Sequence, residues 1–561
     1  MWKDIKNEME TELRKELNFN IKLEEPKIKG AGDLAFSVFE IAKNKQKNPS
    51  DLAKEISSEL SKLRFFFIKQ IAAIGPYVNI WIDWQKVAKS LFNEVNEEYL
   101  KKEKNKVVVI DFSSPNPAHP FHMGTLRSTF IGESLARILE WYGYNVKRVC
   151  YINDMGKQAM TLLLGYTLYA KDKTPNKKPD VWLGEIYKKI SLEVEENSDL
   201  EEQVFRLMKL YEEQDKNTFE TGKKIFKWCL EGFNENWKIF DIKFDEIIFE
   251  SSFIKDSKNL INELEKNKML EDVDNAKLLK LEPKLPNTII VRKDGTGLYL
   301  LRDLAFALWK FKKFKPVKNI YVVGEDQKLH FQQLFYTLKK LGYSDFSNNC
   351  YHIGYSLVLF EGQKMSSRKG TAVLWDDVFK EGVDKALNEI EKRWPDLDEK
   401  EIIERAEKIS LAAIKYFILK YSPEKSINFT WENALRFEGD TGPYLQYTYA
   451  RANSILEKSK EKIEKIDFDT SILTEENEIK LIKQISKFSS ALHDSVINIS
   501  PHILANYAFE LANEFNSFYE KIPVLKAEKN ERLLRLKLID CTVKILKICL
   551  NLLGIPIIEK M

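Results

Sequence analysis

Two short stretches carry residue types suited to phosphate chemistry. The first, SSPNPAHPFHMGTLRST (residues 113–129), sets prolines, histidines and a glycine between a strand-like and a helix-like run. A helix that begins there offers unpaired N–H groups and the positive end of its dipole, a combination that binds phosphate. Gly124 lets a nucleotide approach the backbone closely, and His122 is a candidate donor to a phosphate oxygen. Alone, His122-x-Gly124 is also what an ordinary proline-rich loop with incidental histidines would show. The second stretch, GQKMSSRKGTAVL (362–374), puts Lys364, Arg368 and Lys369 beside two serines. Such a set of cations and hydroxyl donors suits a polyphosphate, whose charge grows as pyrophosphate leaves. A solvated basic loop is the plain alternative. Both stretches in this order, each after a buried strand, are much harder to assign to chance than either alone.

The elements around them are legible. VVVIDF (107–112) is a continuous apolar, β-branched run, as in a strand buried on both faces of a parallel sheet. After the first stretch Leu126, Phe130, Leu135, Ile138, Leu139 and Tyr142 recur at helical spacing, and Gly143 is placed to end that helix. NVKRVCYIND follows as a second strand, which makes a β-α-β unit with the first stretch as its loop. Residues of about 155–270 read as a charged, mostly helical insertion. TIIVRKDGTGLYLLRD reads as a hairpin turning at Asp294-Gly295, followed by a helix with Leu304, Ala307, Leu308 and Phe311 on one face. NIYVVG and HIGYSLVLF are further buried strands. Before this sheet, residues 1 to about 85 read as helices followed by strands. From about 376 onward the pattern is almost entirely helical. The expected order is a small α+β region, a split α/β sheet and a helical bundle.

Composition narrows the class. Lys and Arg number 88 against 85 Asp and Glu, a net charge of +3, so any nucleic-acid affinity must come from local segregation of charge. Cys150, Cys229, Cys350, Cys541 and Cys549 lie far apart with no Cys-x-x-Cys pair, which speaks against disulfides and a structural zinc and fits a reducing cytoplasm. The start, MWKDIKNEMETELRKEL, is a charged amphipathic helix without a signal core, and no apolar run is long enough for a membrane span.

His122-Met123-Gly124-Thr125 resembles the HIGH signature of the class I aminoacyl-tRNA synthetases, and Lys364-Met365-Ser366-Ser367-Arg368 resembles their KMSKS loop. Within that class the chain resembles the arginyl-tRNA synthetases. The likeness rests on SSPNPAHPFHMGTLRST, YLLRDLAFAL, VVGEDQKLHFQQLF, KMSSRKG, FEGDTGPYLQYTYAR and the terminal LNLLGIPIIEKM, and it covers nearly the whole chain. It implies a multidomain α/β protein. A tRNA-gripping α+β domain is expected over 1–90 and a class I Rossmann-type catalytic domain over 100–375. A helical connector follows over 376–435, and an all-α anticodon-binding bundle over 436–561. Three residues depart from the family pattern. Thr125 stands where a second histidine is usual, and it can donate one hydrogen bond but carries no charge. His119 stands where lysine is common, and Asp111 replaces a glutamate one methylene longer.

The resemblance assigns roles residue by residue. His119, His122, Gly124, Thr125, Lys364, Met365, Ser366, Ser367, Arg368 and Lys369 match the ATP-handling positions. Tyr299 and Asp303 match the readers of the arginine side chain, and a carboxylate with an aromatic face is what a planar, permanently charged guanidinium requires. Asp303 also stands where a helix N-cap is expected. Glu250 matches a second acidic reader. Asp111, Asn116 and Gln327 match positions for the α-amino and α-carboxylate end, Ser113 is counted with the arginine-binding residues, and Asn116 is equally a turn-former before Pro117. His122 and His330 have buried, satisfied histidines as their alternative. Tyr447, Arg451, Tyr507 and Met561 match anticodon contacts, since splayed bases stack on aromatic and guanidinium planes. Core tyrosines and a frayed terminus are the alternatives there. Asn79 and Trp81 match contacts to a D-loop base.

The expected reaction is activation of L-arginine by ATP, with Mg²⁺ accompanying the nucleotide, followed by transfer to tRNA-Arg. The family usually needs bound tRNA for the first step. A cytoplasmic monomer without membrane attachment is expected. Two rivals are a class I synthetase for another amino acid, such as lysine, and a non-catalytic tRNA-binding paralogue, which Thr125 keeps in play.

Overall fold

The computed structural model describes residues 2–28, 30–63, 65–94, 105–364, 373–393, 397–461 and 468–560. Its centre is a parallel sheet in the order Cys350–Tyr355, Lys318–Gly324, Val107–Asp111, Asn145–Ile152, Glu246–Phe249. Val108, Val109 and Ile110 are fully buried, because helices cover both faces of the middle strand. From that strand the chain runs outward through Asn145–Ile152 and Glu246–Phe249, then returns to build the other side. The carboxyl end of Val107–Asp111 is therefore the switch point where such sheets bind ligands.

The helix Met123–Trp141 covers this strand, and Gly132 is what lets it lie close: a Cβ there would run into the Phe112 ring. Gly143 follows at φ +107, where a side chain would be strained. Of the region expected as an insertion, Lys157–Tyr169, Pro179–Glu196, Ser198–Glu212 and Lys216–Ile239 are helices. Glu246–Phe249 within that range is instead the edge strand of the central sheet. It is only four residues long and none of them is fully buried, which hides it among helical segments in the sequence. A small antiparallel sheet of Leu270–Val273, Ala276–Leu279 and Thr288–Val291 comes next.

The turn at Asp294-Gly295 forms, with Gly295 at φ +83, but its return arm is a single bridge between Val291 and Gly297. The helix Tyr299–Phe314 begins at once. Here the apolar periodicity of Leu300, Leu301, Leu304, Ala307 and Leu308, all buried, prevails over strand pairing.

Helices Trp375–Arg393 and Glu399–Leu419 lead to a bundle of Gly442–Ser459, Glu476–Ser486, Phe488–Ile497, His502–Lys521 and Lys529–Leu552. The N-terminal region is an antiparallel sheet, Leu34–Ser37, Tyr77–Ile82, Ile68–Ile74, with helices around it. One strand thus precedes the helices Phe39–Lys45 and Pro49–Leu60, where helices followed by strands were expected. This region docks on the bundle: Lys487 and Lys483 pair with Glu25 at 2.9 and 3.3 Å and lie over the Trp2 ring. Among the described residues, no helix is long and apolar enough to cross a membrane.

Candidate active site

Within the first stretch His122 is the N-cap of helix Met123–Trp141. Its Nδ1 accepts a hydrogen bond from Gly124 N at 3.1 Å, which places the ring proton on Nε2. Burial pushes the imidazole down to about 4, so at neutral pH the ring is uncharged and donates through Nε2. Thr125 Oγ1 lies 3.4 Å from that nitrogen. Gly124 is required by this arrangement, since a Cβ there would stand 2.9 Å from His122 Cε1. His119 faces inward instead, edge-on to the Tyr187 ring at 4.8 Å.

The second stretch meets the first through the backbone. Lys364 ends the strand Gln363–Lys364, which pairs with Val358–Phe360. Met365, Ser366, Ser367, Arg368 and Lys369 lie outside the described residues. The chain rejoins beside His122: Leu374 forms an antiparallel bridge to it, Met123 N donates to Val373 O at 3.3 Å, and Trp375 N donates to Phe121 O at 2.9 Å. The two stretches are neighbours in space.

At the switch point Ser113 and Ser114 have φ of +69 and +36, and Ser114 N donates back to Phe112 O at 2.9 Å. This γ-turn of the strained, positive-φ kind lifts the chain off the sheet. Ser113 faces inward; its Oγ receives hydrogen bonds from Thr129 Oγ1 at 2.9 Å and Trp237 Nε1 at 3.1 Å. Asp111 Oδ1 accepts from Ser114 Oγ at 3.2 Å, and its Oδ2 pairs with Lys310 at 3.3 Å. Asn116 does two things: Oδ1 accepts from Ala118 N at 2.9 Å, forming the expected turn, and Nδ2 donates to Gln158 Oε1 at 2.7 Å.

On the facing helix Tyr299 is half exposed, with its ring 4.8 Å from that of His330. Asp303 Oδ2 accepts from His330 Nε2 at 2.7 Å. The N-cap expected at Asp303 is not there: Leu298 is the N-cap, and Asp303 lies inside the helix, beyond reach of its unpaired N–H groups. Glu250 is buried and forms an ion pair with Arg302 Nε, while Arg302 Nη1 donates to Gly297 O at 2.9 Å. Burial pushes Glu250 up to about 7 against the pull of Arg302. This second carboxylate is therefore engaged by the protein's own guanidinium. Gln327 follows the strand Lys318–Gly324 and donates to Asp326 Oδ2 at 2.9 Å.

The RNA-facing expectations divide. Arg451 lies 4.5 Å over the Tyr447 ring, donates to Tyr447 Oη at 2.9 Å and to Asn516 Oδ1 at 2.7 Å, and faces the exposed Tyr519 ring at 5.7 Å. Tyr507 is buried in the bundle, with Oη donating to Gln484 O at 3.1 Å, so its ring presents no face to a base. Met561 lies outside the described residues. Asn79 lines a cleft of about 620 Å³ whose rim includes the exposed Ile28, Ile74 and Tyr77. Trp81 shares the strand face of Tyr77 and Asn79 but does not line the cleft.

Two residues that hold this site escaped the sequence reading. Arg127, fully buried one turn beyond Gly124, donates to the carbonyls of Ser356, Leu357, Ser422, Pro423 and Lys425, and so ties the phosphate helix to the strand before the second stretch. Burial pushes it down to about 10, against the weaker pull of Tyr355 and Glu424. Lys178 donates to both oxygens of Asp376 at 2.6 and 2.7 Å and to Asn236 at 2.7 Å. Nothing in sequence separates these from surface cations.

Comparison with known proteins agrees with this geometry. Residues 86–431 match the family described as tRNA synthetases class I (R), catalytic domain. Residues 445–561 match the DALR anticodon binding domain, and 3–82 the arginyl tRNA synthetase N terminal domain. A curated arginine–tRNA ligase of Clostridium perfringens is 36% identical over 99% of this chain and 98% of its own, and one of Clostridium kluyveri is 34% identical over the full length of both. The solved arginyl-tRNA synthetase of Thermus thermophilus superposes with a TM-score of 0.83 at 25% identity, covering 99% of this chain and 100% of its own. That of Plasmodium falciparum gives 0.82 at 24%, covering 99% of both, a likeness of fold. With a parallel α/β centre, the end of the second stretch paired with the first beside its middle strand, and relatives alike from end to end, the chain belongs to the class I arginyl-tRNA synthetases.

Proposed function

We infer that the chain is an arginine–tRNA ligase that works in two steps. Arginine's carboxylate attacks the α-phosphate of ATP and pyrophosphate leaves; a hydroxyl of the tRNA's terminal adenosine then takes the arginyl group. The observation that carries this reading is the antiparallel pairing of Phe121–Met123 with Val373–Trp375. It brings Val373–Trp375, where the second stretch ends, beside Phe121–Met123 of the first. No protein nucleophile is required; positioning and charge stabilisation lower the barrier.

In this reading ATP lies over the N-terminus of helix Met123–Trp141. Gly124 admits it, neutral His122 donates through Nε2, Thr125 adds a hydroxyl, and Lys364 with residues 365–369 meets the phosphates. His119 backs the loop from inside. Asp303, fixed by His330, pairs with the substrate guanidinium while Tyr299 covers its face. Glu250 acts through Arg302, which shapes the floor beneath. Asp111, Asn116 and Gln327 hold the α end, and Ser113 fixes the turn between them. Mg²⁺ accompanies ATP, held by its phosphates. On the RNA side Tyr447 and Arg451 meet the anticodon, Tyr507 supports them from the core, Met561 joins them, and Asn79 with Trp81 meets the D-loop. The working unit is a cytoplasmic monomer.

The test is ATP–pyrophosphate exchange with arginine and with lysine, each with and without tRNA-Arg. Arginine-dependent exchange that appears only with tRNA is expected. Exchange with lysine, or none with either amino acid, would sink the reading. Strong exchange without RNA would make this chain an exception in its family.

A further inference from the structure

Lys310 is fully buried, on the same face of helix Tyr299–Phe314 as Asp303 and two turns further on. Its ammonium lies 3.7 Å from the centre of the Tyr321 ring, 4.0 Å from that of Phe306, and 3.3 Å from Asp111 Oδ2. A buried ammonium is costly even when paired, and an apolar side chain would fill the space between two rings without that cost. The charge therefore calls for a reason, and Asp111 is the group it reaches. Asp111 ends the middle strand of the sheet, and the other donor on its carboxylate is Ser114 Oγ at 3.2 Å.

We propose that Lys310 is a positioning residue for the amino-acid substrate, holding the Asp111 carboxylate in place and in its charged form to meet the α-ammonium. The inference rests on the assignment of Asp111 to the α-amino end of arginine. The groups around the pair support it. Burial drives Asp111 toward its neutral form, Asp303 on the facing helix adds to that, and Lys310 and Ser114 act against it. Cys150, on the neighbouring strand, feels the Asp111 charge as well. Lys310 is in turn driven toward neutrality by burial and held charged by Asp111, Cys350 and Asp303. Tyr321, on the strand at the other side, stays protonated because it is buried and beside these acids. Without the lysine, Asp111 keeps its burial and its acidic neighbour but loses its strongest counter-charge. Its carboxyl is then pushed further toward the neutral form, and the α-ammonium faces a partner with less charge.

The experiment is KM for arginine in tRNA aminoacylation between about pH 6.5 and 8.5, a window above the ordinary titration of carboxylates. Wild type should be flat. Lys310→Met, which suits the apolar walls, should raise KM by ~10-fold or more at the acid end, one pKa unit of upward shift in Asp111 corresponding to a factor of ten. The defect should shrink toward the alkaline end, and KM for ATP should hold. Lys310→Arg should restore the flat profile. Asp111→Asn should raise KM equally at every pH, and adding Lys310→Met to it should change nothing further. Ser114→Ala removes the other donor, should give the same pH trend at smaller size, and serves if Lys310→Met does not fold. If Asp111→Asn binds arginine normally, the placement of Asp111 is wrong whatever Lys310 does. If Asp111→Asn is defective while Lys310→Met or its Ser114→Ala substitute is pH-independent, Lys310 is packing and the proposal fails.

Discussion

Asp303 and His330 stand on different helices, Tyr299–Phe314 and Lys328–Lys340, and meet at 2.7 Å between Oδ2 and Nε2. The contact fixes one oxygen of a carboxylate that remains about one-fifth exposed. Because the helix starts at Tyr299, this carboxylate has no capping duty.

Asp303→Asn should lower kcat/KM for arginine by at least ~10-fold. A hydrogen bond to a charged group is worth about 1.5–3 kcal/mol, and each 1.36 kcal/mol is a decade. Since Asp303 is no cap, Asp303→Ala should not unfold the helix either, and both variants should melt near wild type. Normal charging of arginine by the Asn variant would move side-chain recognition to other residues.

Thr125→His should keep or improve KM for ATP, because it adds a donor that can also be charged beside His122 Nε2. A sharp rise in that KM would mean the ATP pocket is organised differently from the assignment above.

Gly184 on helix Pro179–Glu196 presses on the first phosphate stretch: a Cβ there would stand 2.5 Å from both Cδ and Cγ of Pro120. Gly184→Ala should displace the loop that carries His122 and cost ~1–3 kcal/mol of stability, as overpacking usually does. KM for ATP should rise several-fold while KM for arginine changes less. Unaltered ATP kinetics would show that the inserted helices do not position the loop.

Tyr507 and Arg451 should separate cleanly. Tyr507→Phe removes one of two donors to the Gln484 carbonyl, which keeps Lys487 N at 3.2 Å, and should cost ~0.5–1.5 kcal/mol, with KM for tRNA little changed. Arg451→Ala should raise KM for tRNA and leave KM for arginine alone. The reverse pattern would place the RNA contact at Tyr507.

Lys415 gives a pH dependence of known sign. It is buried, donates to Phe240 O at 2.8 Å and Gly554 O at 2.6 Å, and burial pushes it down to about 7. The unfolded chain binds a proton at this lysine up to its ordinary range near ~10.4, while the folded chain sheds it from about 7. The unfolded state thus holds more protons in that window, so stability should rise as pH rises through it. Thermal melts at pH 7.5 and 9.5 should show that rise in wild type and a smaller one in Lys415→Met. An equal rise in both would remove Lys415 as its source.

What the sequence determined by itself is local or repetitive. VVVIDF fits a doubly buried strand, by its length and β-branched residues, and the 3.6-residue recurrence from Leu126 to Tyr142 fits a covered helix, because burial pattern follows from backbone period. His122-x-Gly124 and the Lys364 stretch stand out as candidates in the sequence because phosphate binding draws on a few residue types at short spacing. The tertiary structure decided everything that depends on partners distant in the chain. Asp303 read as a cap until the helix was seen to start at Tyr299. Glu250 matched a second acidic reader in the sequence, and only the fold shows its ion pair with Arg302. Tyr507 and Tyr447 are the same residue in a bundle sequence, and only packing buries one and leaves the other beside Arg451. Lys310, Arg127, Lys178 and Lys415 look like any surface cation, and the chain holds many. A cation becomes functional when the fold removes its water and supplies particular oxygens instead, and those oxygens are hundreds of residues away or belong to the backbone, which has no sequence signature.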